Sequence, residues 1–276
     1  MLEEEIKVDD HICLYKNLEP LMPLGNRSPD GTSLANSKGS VLPADEEKAA
    51  VVEAMFDKIA SRYESLNQIL TFGLDKKWRK ITLKYLGVQE GSRVLDVACG
   101  TGDFLRLLEK QNLKGMGLDF SLGMLQNAQV TSPLIRGDAQ NLPFKNASLD
   151  GVTCGFALRN LTDISEFFQE SSRVLKTGGR IALVDVGEPV NPLMKAGHAI
   201  WFKKAVPIIG GLLSDKTAYK YLPQSTAYLP SSKKIMAMLE DSGFIAIRHS
   251  TFLGGSAQLF SATRSVYTQR TQLAGN

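Results

Sequence analysis

The sequence predicts an α/β fold: a doubly wound, mostly parallel sheet of seven strands with one antiparallel strand at the C-terminal end. The first observation behind this prediction is residues 93–103, where an apolar run leads into Gly-Thr-Gly and then into a helical pattern. A buried strand, a tight glycine turn and a helix start open the nucleotide site of doubly wound folds. The second observation is that three successive predicted strands end in aspartates, at Asp96, Asp119 and Asp138. Ligands bind at this end of the strands in open α/β sheets.

The glycine turn favours a positively charged ligand over a pyrophosphate. Gly100 and Gly102 let a ligand approach the backbone closely, and the helix that follows offers unpaired N–H groups. A dinucleotide fingerprint requires a third glycine where Leu105 stands, and the chain has no Gly-Lys-Ser/Thr phosphate loop. Asp96 and Asp103 flank the turn. Two carboxylates would repel a pyrophosphate but suit a ligand that carries an ammonium and a sulfonium group.

The second predicted strand begins at Gly115 and ends in Asp119, about twenty residues after the turn, where such folds bind ribose hydroxyls. Ser121 is expected to cap the next helix. The later elements continue the alternation, with strands over 150–156 and 180–185, a helix from Asp163 to Leu175 and a helix over 231–242, and a closing antiparallel pair over 244–252 and 258–264. Lys176 to Gly179 are predicted to end the first of these helices with a glycine cap.

The chain is predicted to have three parts. Residues 1–45 form a disordered acidic tail, residues 46–90 a helical cap, and residues 91–266 the α/β domain, with an irregular apolar lid at about 187–230. In the cap, a helical pattern starts at Asp45 and places Val52, Phe56, Ile59 and Tyr63 on one face. A second helix carries Lys77, Lys80 and Lys84 on one face, which is either solvated or rests on a membrane surface.

Composition excludes several classes of protein. The chain has 276 residues, of which 43% are hydrophobic and 22% charged, as in a soluble globular protein. Residues 1–50 hold ten acidic and five basic residues, and the remainder holds 27 basic and 19 acidic residues. This mild basic excess argues against nucleic-acid binding, which requires a concentrated basic patch, and allows peripheral contact with an anionic membrane surface.

The cysteines and the apolar stretches indicate a cytoplasmic protein. Cys13, Cys99 and Cys154 have no metal-binding spacing, so we expect no metal site and a reducing compartment. No segment resembles a signal peptide, and the apolar stretch 205–213 is too short to span a bilayer. The oligomeric state, including a homodimer, is left open.

Several motifs together resemble one known family. The stretch 95–102, Leu-Asp-Val-Ala-Cys-Gly-Thr-Gly, is similar to the first motif of class I S-adenosylmethionine-dependent methyltransferases, whose fold is Rossmann-like. Four further stretches resemble the ubiquinone/menaquinone biosynthesis C-methyltransferases within that class: 55–63 (Met-Phe-Asp-x-Ile-Ala-x-Arg-Tyr), 72–79 (Phe-Gly-Leu leading to Trp-Arg), 155–163 (Gly-Phe-Ala-Leu-Arg-Asn-Leu-Thr-Asp) and 219–222 (Tyr-x-Tyr-Leu).

The resemblance implies transfer of a methyl group from S-adenosylmethionine to a ring carbon of a polyprenylated quinol, with demethylmenaquinol as the first candidate. For the donor, it implies that Thr101 binds in the glycine turn, that Asp119 with Phe120 meets the ribose, and that Asp138 and Ala139 meet the adenine. The donor-binding set is completed by Asp96, Gly100, Gly102 and Gly155. The family often has serine at position 155, so a side-chain contact is missing there.

For the acceptor, the resemblance implies catalytic roles for Arg159, Asn160 and Tyr63. Arginine is always protonated in practice, so Arg159 is read as stabilising a quinolate or orienting a water, and Asn160 as bonding a ring oxygen. Tyr63 is read as closing the site. The alternatives are that Arg159 only pairs with Asp163, that Asn160 only satisfies loop backbone, and that Tyr63 is plain core.

Three other functions remain open at this point. In the first, the acceptor is a 2-methoxy-6-polyprenyl-benzoquinol of ubiquinone biosynthesis. In the second, the enzyme is a small-molecule O- or N-methyltransferase. In the third, the chain is a non-catalytic scaffold of a quinone-biosynthesis complex. An intact donor site argues against the scaffold, and the Leu-Arg-Asn stretch argues against O- or N-methylation.

Overall fold

A computed structural model describes residues 45–187 and 225–266, together with residues 189, 191 and 195. The predicted acidic tail, most of the predicted lid and the 219–222 motif lie outside these residues.

The helical cap contains three helices in the described part of the chain. Helix α1 spans Asp45–Ile59, α2 spans Tyr63–Thr71 and α3 spans Leu74–Leu86. The sequence predicts one continuous face from Val52 to Tyr63, but a 3-10 turn at Ala60–Arg62 separates α1 from α2. Ile59 and Ala60 are buried at this break. Tertiary packing therefore overrides helical periodicity here.

Seven strands form one sheet, as the sequence predicts. They are β1 Arg93–Val97, β2 Lys114–Asp119, β3 Leu134–Arg136, β4 Leu149–Gly155, β5 Leu175–Val186, β6 Phe244–Phe252 and β7 Ala257–Arg264. Their order across the sheet is β3-β2-β1-β4-β5-β7-β6. Strands β1 to β5 pair in parallel, and β7 runs antiparallel to β5 and β6. The order reverses between β1 and β4, so a ligand crevice is expected at their carboxyl ends.

Helices cover both faces of this sheet. The remaining ones are α4 Asp103–Glu109, α5 Leu122–Gln126, α6 Ile164–Val174 and α7 Ser232–Asp241. Helices α3 and α4 contribute Trp78 and Leu105 to one core cluster, whereas α6 and α7 contribute Phe167 and Leu239 to the cluster on the other face. The caps predicted at Ser121 and Asp163 are confirmed, since each side chain accepts backbone N–H groups of the first turn.

The predicted glycine cap at 176–179 is wrong. Helix α6 ends at Val174, and Leu175 already pairs with Leu149 of β4. The register then jumps to the pair Gly151 and Arg180, so residues 176–179 bulge out of β5. Gly178, which lies in this bulge, has a positive φ of +77°. Leu175 is fully buried, and the core contact of its side chain accounts for the early end of the helix.

Candidate active site

The carboxyl ends of β1, β2 and β4 open onto a cavity that α1 covers. Its free space is about 900 Å³, a figure that includes the solvent at its open mouth. Eight of the residues predicted for the site line it: Tyr63, Gly100, Asp119, Phe120, Asp138, Ala139, Gly155 and Asn160. The other four do not line it: Asp96, Thr101, Gly102 and Arg159.

The glycine turn has the geometry that a close-fitting ligand requires. Gly100 has φ +55°, and a Cβ on it would meet nothing within 4 Å, so its backbone borders open space. Gly102 has φ +89°, and a Cβ there would lie 2.6 Å from Val130 Cγ1. Between them, the Thr101 hydroxyl is buried and has no hydrogen-bond partner in the described part of the chain. An unpaired buried hydroxyl is costly, so a polar ligand in the turn would relieve it.

Asp119 joins the glycine turn to the end of β2. Its Oδ2 accepts the Gly100 N–H at 2.7 Å, and its Oδ1 accepts the Ser121 N–H at 2.9 Å. Each oxygen keeps a lone pair for a ribose hydroxyl. Burial raises the pKa of Asp119 to about 6, against the lowering effect of these two N–H groups, and nearby Asp57 adds to the rise. The side chain is therefore ionised at pH 7.

The two carboxylates that flank the turn, Asp96 and Asp103, are not the pair of free negative charges that the sequence suggests. Asp96 is 1% exposed and accepts a hydrogen bond from Thr153 Oγ1 at 2.9 Å. Burial raises its pKa to about 8, so it carries a proton at pH 7 in the free protein. Asp103 is ion-paired with Arg79 and Arg106. The turn therefore does not present two free negative charges, and a donor contact of Asp96 stays a prediction.

Helix α1 forms one wall of the cavity through Val52 and Phe56. Asp57 Oδ1 accepts hydrogen bonds from Ser121 Oγ at 2.5 Å and from Gly123 N at 2.8 Å, which fixes α1 to the start of α5. Two further contacts fix the same helix, from Glu53 to Arg136 (2.8 Å) and from Lys48 Nζ to the Leu161 carbonyl (2.6 Å). Sequence reasoning assigned no role to these three residues, although Asp57 lies in a motif that carried the resemblance.

Arg159 is held by partners that the sequence does not reveal. It is 7% exposed, and its Nη1 donates to the Asp185 carboxylate and to the Phe156 carbonyl, while Nε donates to Ser225 Oγ at 3.2 Å. The alternative pairing with Asp163 is wrong, since the Asp163 side chain caps α6. No hydrogen bond of Nη2 is formed within the described residues, so a donor of this side chain remains unused there.

Asn160 and Tyr63, which were expected to meet the acceptor, both line the cavity. Asn160 Oδ1 is buried without a hydrogen-bond partner among the residues that the structure describes. Tyr63 lines the cavity, and burial raises the pKa of its phenol, against the lowering effect of the Arg79 and Arg159 guanidinium groups. Gly155 lines the same cavity, and a Cβ on it would come 2.7 Å from Phe104 Cε2. A serine at this position has no room unless the Phe104 ring moves.

Within residues 45–187 and 225–266, no three His, Cys, Asp or Glu side chains are grouped so that they could hold a metal ion. In the same part of the chain, no helix is both long and apolar enough to cross a bilayer. Cys99 and Cys154 are buried free thiols, and burial raises their pKa values well above the usual range.

The fold and the site define the class of protein. A chain from the complex between the Haloferax volcanii Trm112 methyltransferase activator and a putative methyltransferase superposes with a TM-score of 0.57 at 19% identity, over 76% of this chain and 97% of that chain. Together with the glycine turn and the acids that follow β1 and β2, this likeness defines the Rossmann-like fold of class I methyltransferases.

The model of the ubiE/COQ5 methyltransferase family matches residues 43–264, so the chain belongs to that family. A demethylmenaquinone methyltransferase of Roseiflexus castenholzii is 36% identical over 233 residues, which cover 82% of this chain and 98% of the relative. A demethylmenaquinone methyltransferase of Staphylococcus aureus is 38% identical over 218 residues, which cover 75% of this chain and 90% of the relative. The chain is therefore an S-adenosylmethionine-dependent methyltransferase.

The pKa of Asp119 predicts how donor affinity depends on pH. Only the ionised carboxylate offers both oxygens as acceptors, so affinity should be constant above about pH 7 and fall by up to about tenfold per pH unit below pH 6. Calorimetric titration with S-adenosylhomocysteine from pH 8 to pH 5 measures this. Asp119→Asn should bind weakly at every pH and lose the dependence, and an unchanged slope in that variant would assign the titration to another group.

Proposed function

We propose that the protein methylates a ring carbon of demethylmenaquinol, a polyprenylated quinol, and so forms menaquinol. The observation that carries this proposal is the match to two relatives named demethylmenaquinone methyltransferase over 98% and 90% of their own lengths. The cavity-lining residues all lie within the matched region 43–264. The proposal places the acceptor in the part of the cavity near Asn160.

The residues present fit S-adenosylmethionine as the methyl donor. When bound, it supplies a methyl group on a positively charged sulfur, which needs alignment more than activation. The proposal assigns the ribose hydroxyls to Asp119, the adenine to Asp138 and Ala139, and a polar contact in the glycine turn to the unpaired Thr101 hydroxyl.

Methylation of a quinol ring carbon requires the acceptor to lose a proton at two separate steps. A quinol ring carbon becomes nucleophilic when a ring hydroxyl is deprotonated, and the methylated carbon must then lose its own proton. The proposal assigns Arg159 to the quinolate oxygen, through the Nη2 group that forms no hydrogen bond within the described residues. Asp185 and the Phe156 carbonyl hold Arg159 in place. Asn160 Oδ1, which is buried and unpaired in the same part of the chain, is assigned as a hydrogen-bond acceptor for a ring hydroxyl or for a bound water that carries the proton away.

Product analysis tests this function directly. The enzyme is given S-adenosylmethionine with a labelled methyl group and pre-reduced demethylmenaquinol, with a pre-reduced 2-methoxy-6-polyprenyl-benzoquinol in parallel. We expect a C-methylated product from demethylmenaquinol and a slower reaction, or none, with the benzoquinol. The opposite preference would place the enzyme in ubiquinone biosynthesis. An O-methylated product, or no product while the donor still binds, would refute the proposed reaction.

The role of Arg159 predicts a selective defect. Arg159→Ala should lower kcat about a hundredfold, as expected when one charge stabiliser is removed, and leave the Kd for S-adenosylhomocysteine unchanged. Arg248→Ala removes an exposed arginine of β6 and serves as the matched control with normal turnover. Near-normal turnover of Arg159→Ala would remove this residue from the mechanism, and loss of donor binding would show that its role is structural.

We also propose that the outer face of α3 contacts an anionic membrane surface, because the polyprenylated acceptor resides in the bilayer. Lys76, Lys77, Lys80 and Lys84 are all exposed, and their spacing places them within about a quarter of the helix circumference. Each lysine near an anionic surface contributes about 1 kcal/mol of attraction.

Vesicle co-sedimentation tests the membrane contact. The protein should bind phosphatidylcholine vesicles only when they contain phosphatidylglycerol, and added salt should release it. The triple variant Lys77→Gln, Lys80→Gln, Lys84→Gln should lose most of this binding. A control that replaces the exposed Lys110, Lys114 and Lys145 by glutamine has the same net charge and should keep it. Equal loss in both triple variants would contradict a specific α3 surface.

A further inference from the structure

Arg79, a buried arginine of α3, lies beside the glycine turn, and the proposed function assigns it no role. Its side chain is 5% exposed. Nη1 lies 2.7 Å from Asp75 Oδ2, and Nη2 lies 3.3 Å from Oδ2 of Asp103, the residue that begins α4 directly after the turn. The guanidinium carbon is 4.9 Å from the centre of the Phe156 ring. Arg79 therefore connects the helical cap to the ends of β1 and β4.

Arg79 does not line the cavity itself but lies next to Gly155, which does. Its Nε lies 3.7 Å from the position that a Cβ on Gly155 would occupy, and within the described residues Nε forms no hydrogen bond. Gly155 and Phe156 both line the cavity. Tyr63, which lines it too, is close enough that the Arg79 guanidinium is the strongest charge lowering the pKa of its phenol. A cation is thus present beside two residues that line the cavity, Tyr63 and Gly155.

The charges around Arg79 complement an amino-acid zwitterion. Asp103 supplies a negative group next to the positive one, and Arg106, which also pairs with Asp103, is directed to the Thr101 carbonyl and to Glu64. The 3.3 Å contact between Arg79 Nη2 and Asp103 is an ion pair without a full hydrogen bond, so donors of Arg79 remain available. The unpaired Thr101 hydroxyl adds a donor on the same turn.

We propose that Arg79 binds the α-carboxylate of the amino-acid arm of S-adenosylmethionine, with Asp103 next to the ammonium group. A guanidinium matches a carboxylate in charge and in shape, and hydrogen bonds between ions are about twice as strong as neutral ones. The inference rests on the proposed donor and is independent of the acceptor.

Calorimetric titration of the full chain tests it with two probes. S-adenosylhomocysteine carries the amino-acid arm, and 5′-methylthioadenosine lacks it. Arg79→Gln should weaken S-adenosylhomocysteine about 10- to 100-fold, the range for loss of a hydrogen bond to a charged group, and leave 5′-methylthioadenosine unchanged. Arg106→Gln is the matched control and should weaken both ligands by the same factor, because Arg106 holds the turn itself. Equal weakening of both ligands by Arg79→Gln, or no weakening, would overturn the proposal.

A second measurement keeps the inference falsifiable if Arg79→Gln does not fold. The carboxamide of S-adenosylhomocysteine lacks the negative charge of the acid. It should therefore bind the wild-type protein about 10- to 100-fold more weakly than the acid does. Arg79→Lys should recover part of the preference for the acid. Equal affinity of acid and amide would refute a carboxylate contact with Arg79. Wild-type protein that binds neither S-adenosylhomocysteine nor 5′-methylthioadenosine would refute the donor itself, whereas failed methylation of demethylmenaquinol would leave this inference untouched.

Discussion

The Asp119 carboxylate is the contact on which the rest of the site depends. Through Gly100 and Ser121 it fixes the backbone that follows β1 and the start of α5 relative to the end of β2. The hydroxyl of Ser121 in turn donates to Asp57 of α1, so the cavity floor and the cavity wall share one hydrogen-bond network. A buried carboxylate satisfied by backbone N–H groups is rigid, and a rigid acceptor positions a ligand without further ordering.

Much of the fold was readable in the sequence because its strands are local patterns. The runs of β1, β2 and β4 are short, apolar and bounded by glycine or aspartate, and these boundaries were predicted to within about two residues. The failures occurred where a distant contact decides the local structure. The break between α1 and α2 and the bulge at 176–179 follow from burial of Ile59, Ala60 and Leu175, which periodicity does not specify.

The residues of the site also separate into those that local spacing predicts and those that depend on distant contacts. Residues of the glycine turn and the strand ends, such as Gly100 and Asp119, occupy positions that spacing defines, and the structure places them at one cavity. Asp185 was given no role, and Asp57 and Arg79 were noted only as members of motifs, because their contacts join residues 24 to 66 positions apart in the chain. The protonated state of Asp96 was missed for a related reason, since burial that raises a pKa is a property of the folded chain.

The attachment of α1 has a consequence for the relative stability of the wall and the floor of the cavity. Contacts through Lys48, Glu53 and Asp57 hold this helix over the cavity, and Glu53 and Asp57 are at least partly exposed to water. Partly exposed polar contacts are individually weak, whereas the sheet beneath is held by a fully buried core. The contacts of α1 therefore cost less free energy to break than the pairing of the seven strands, so the wall of the cavity is expected to loosen before its floor does.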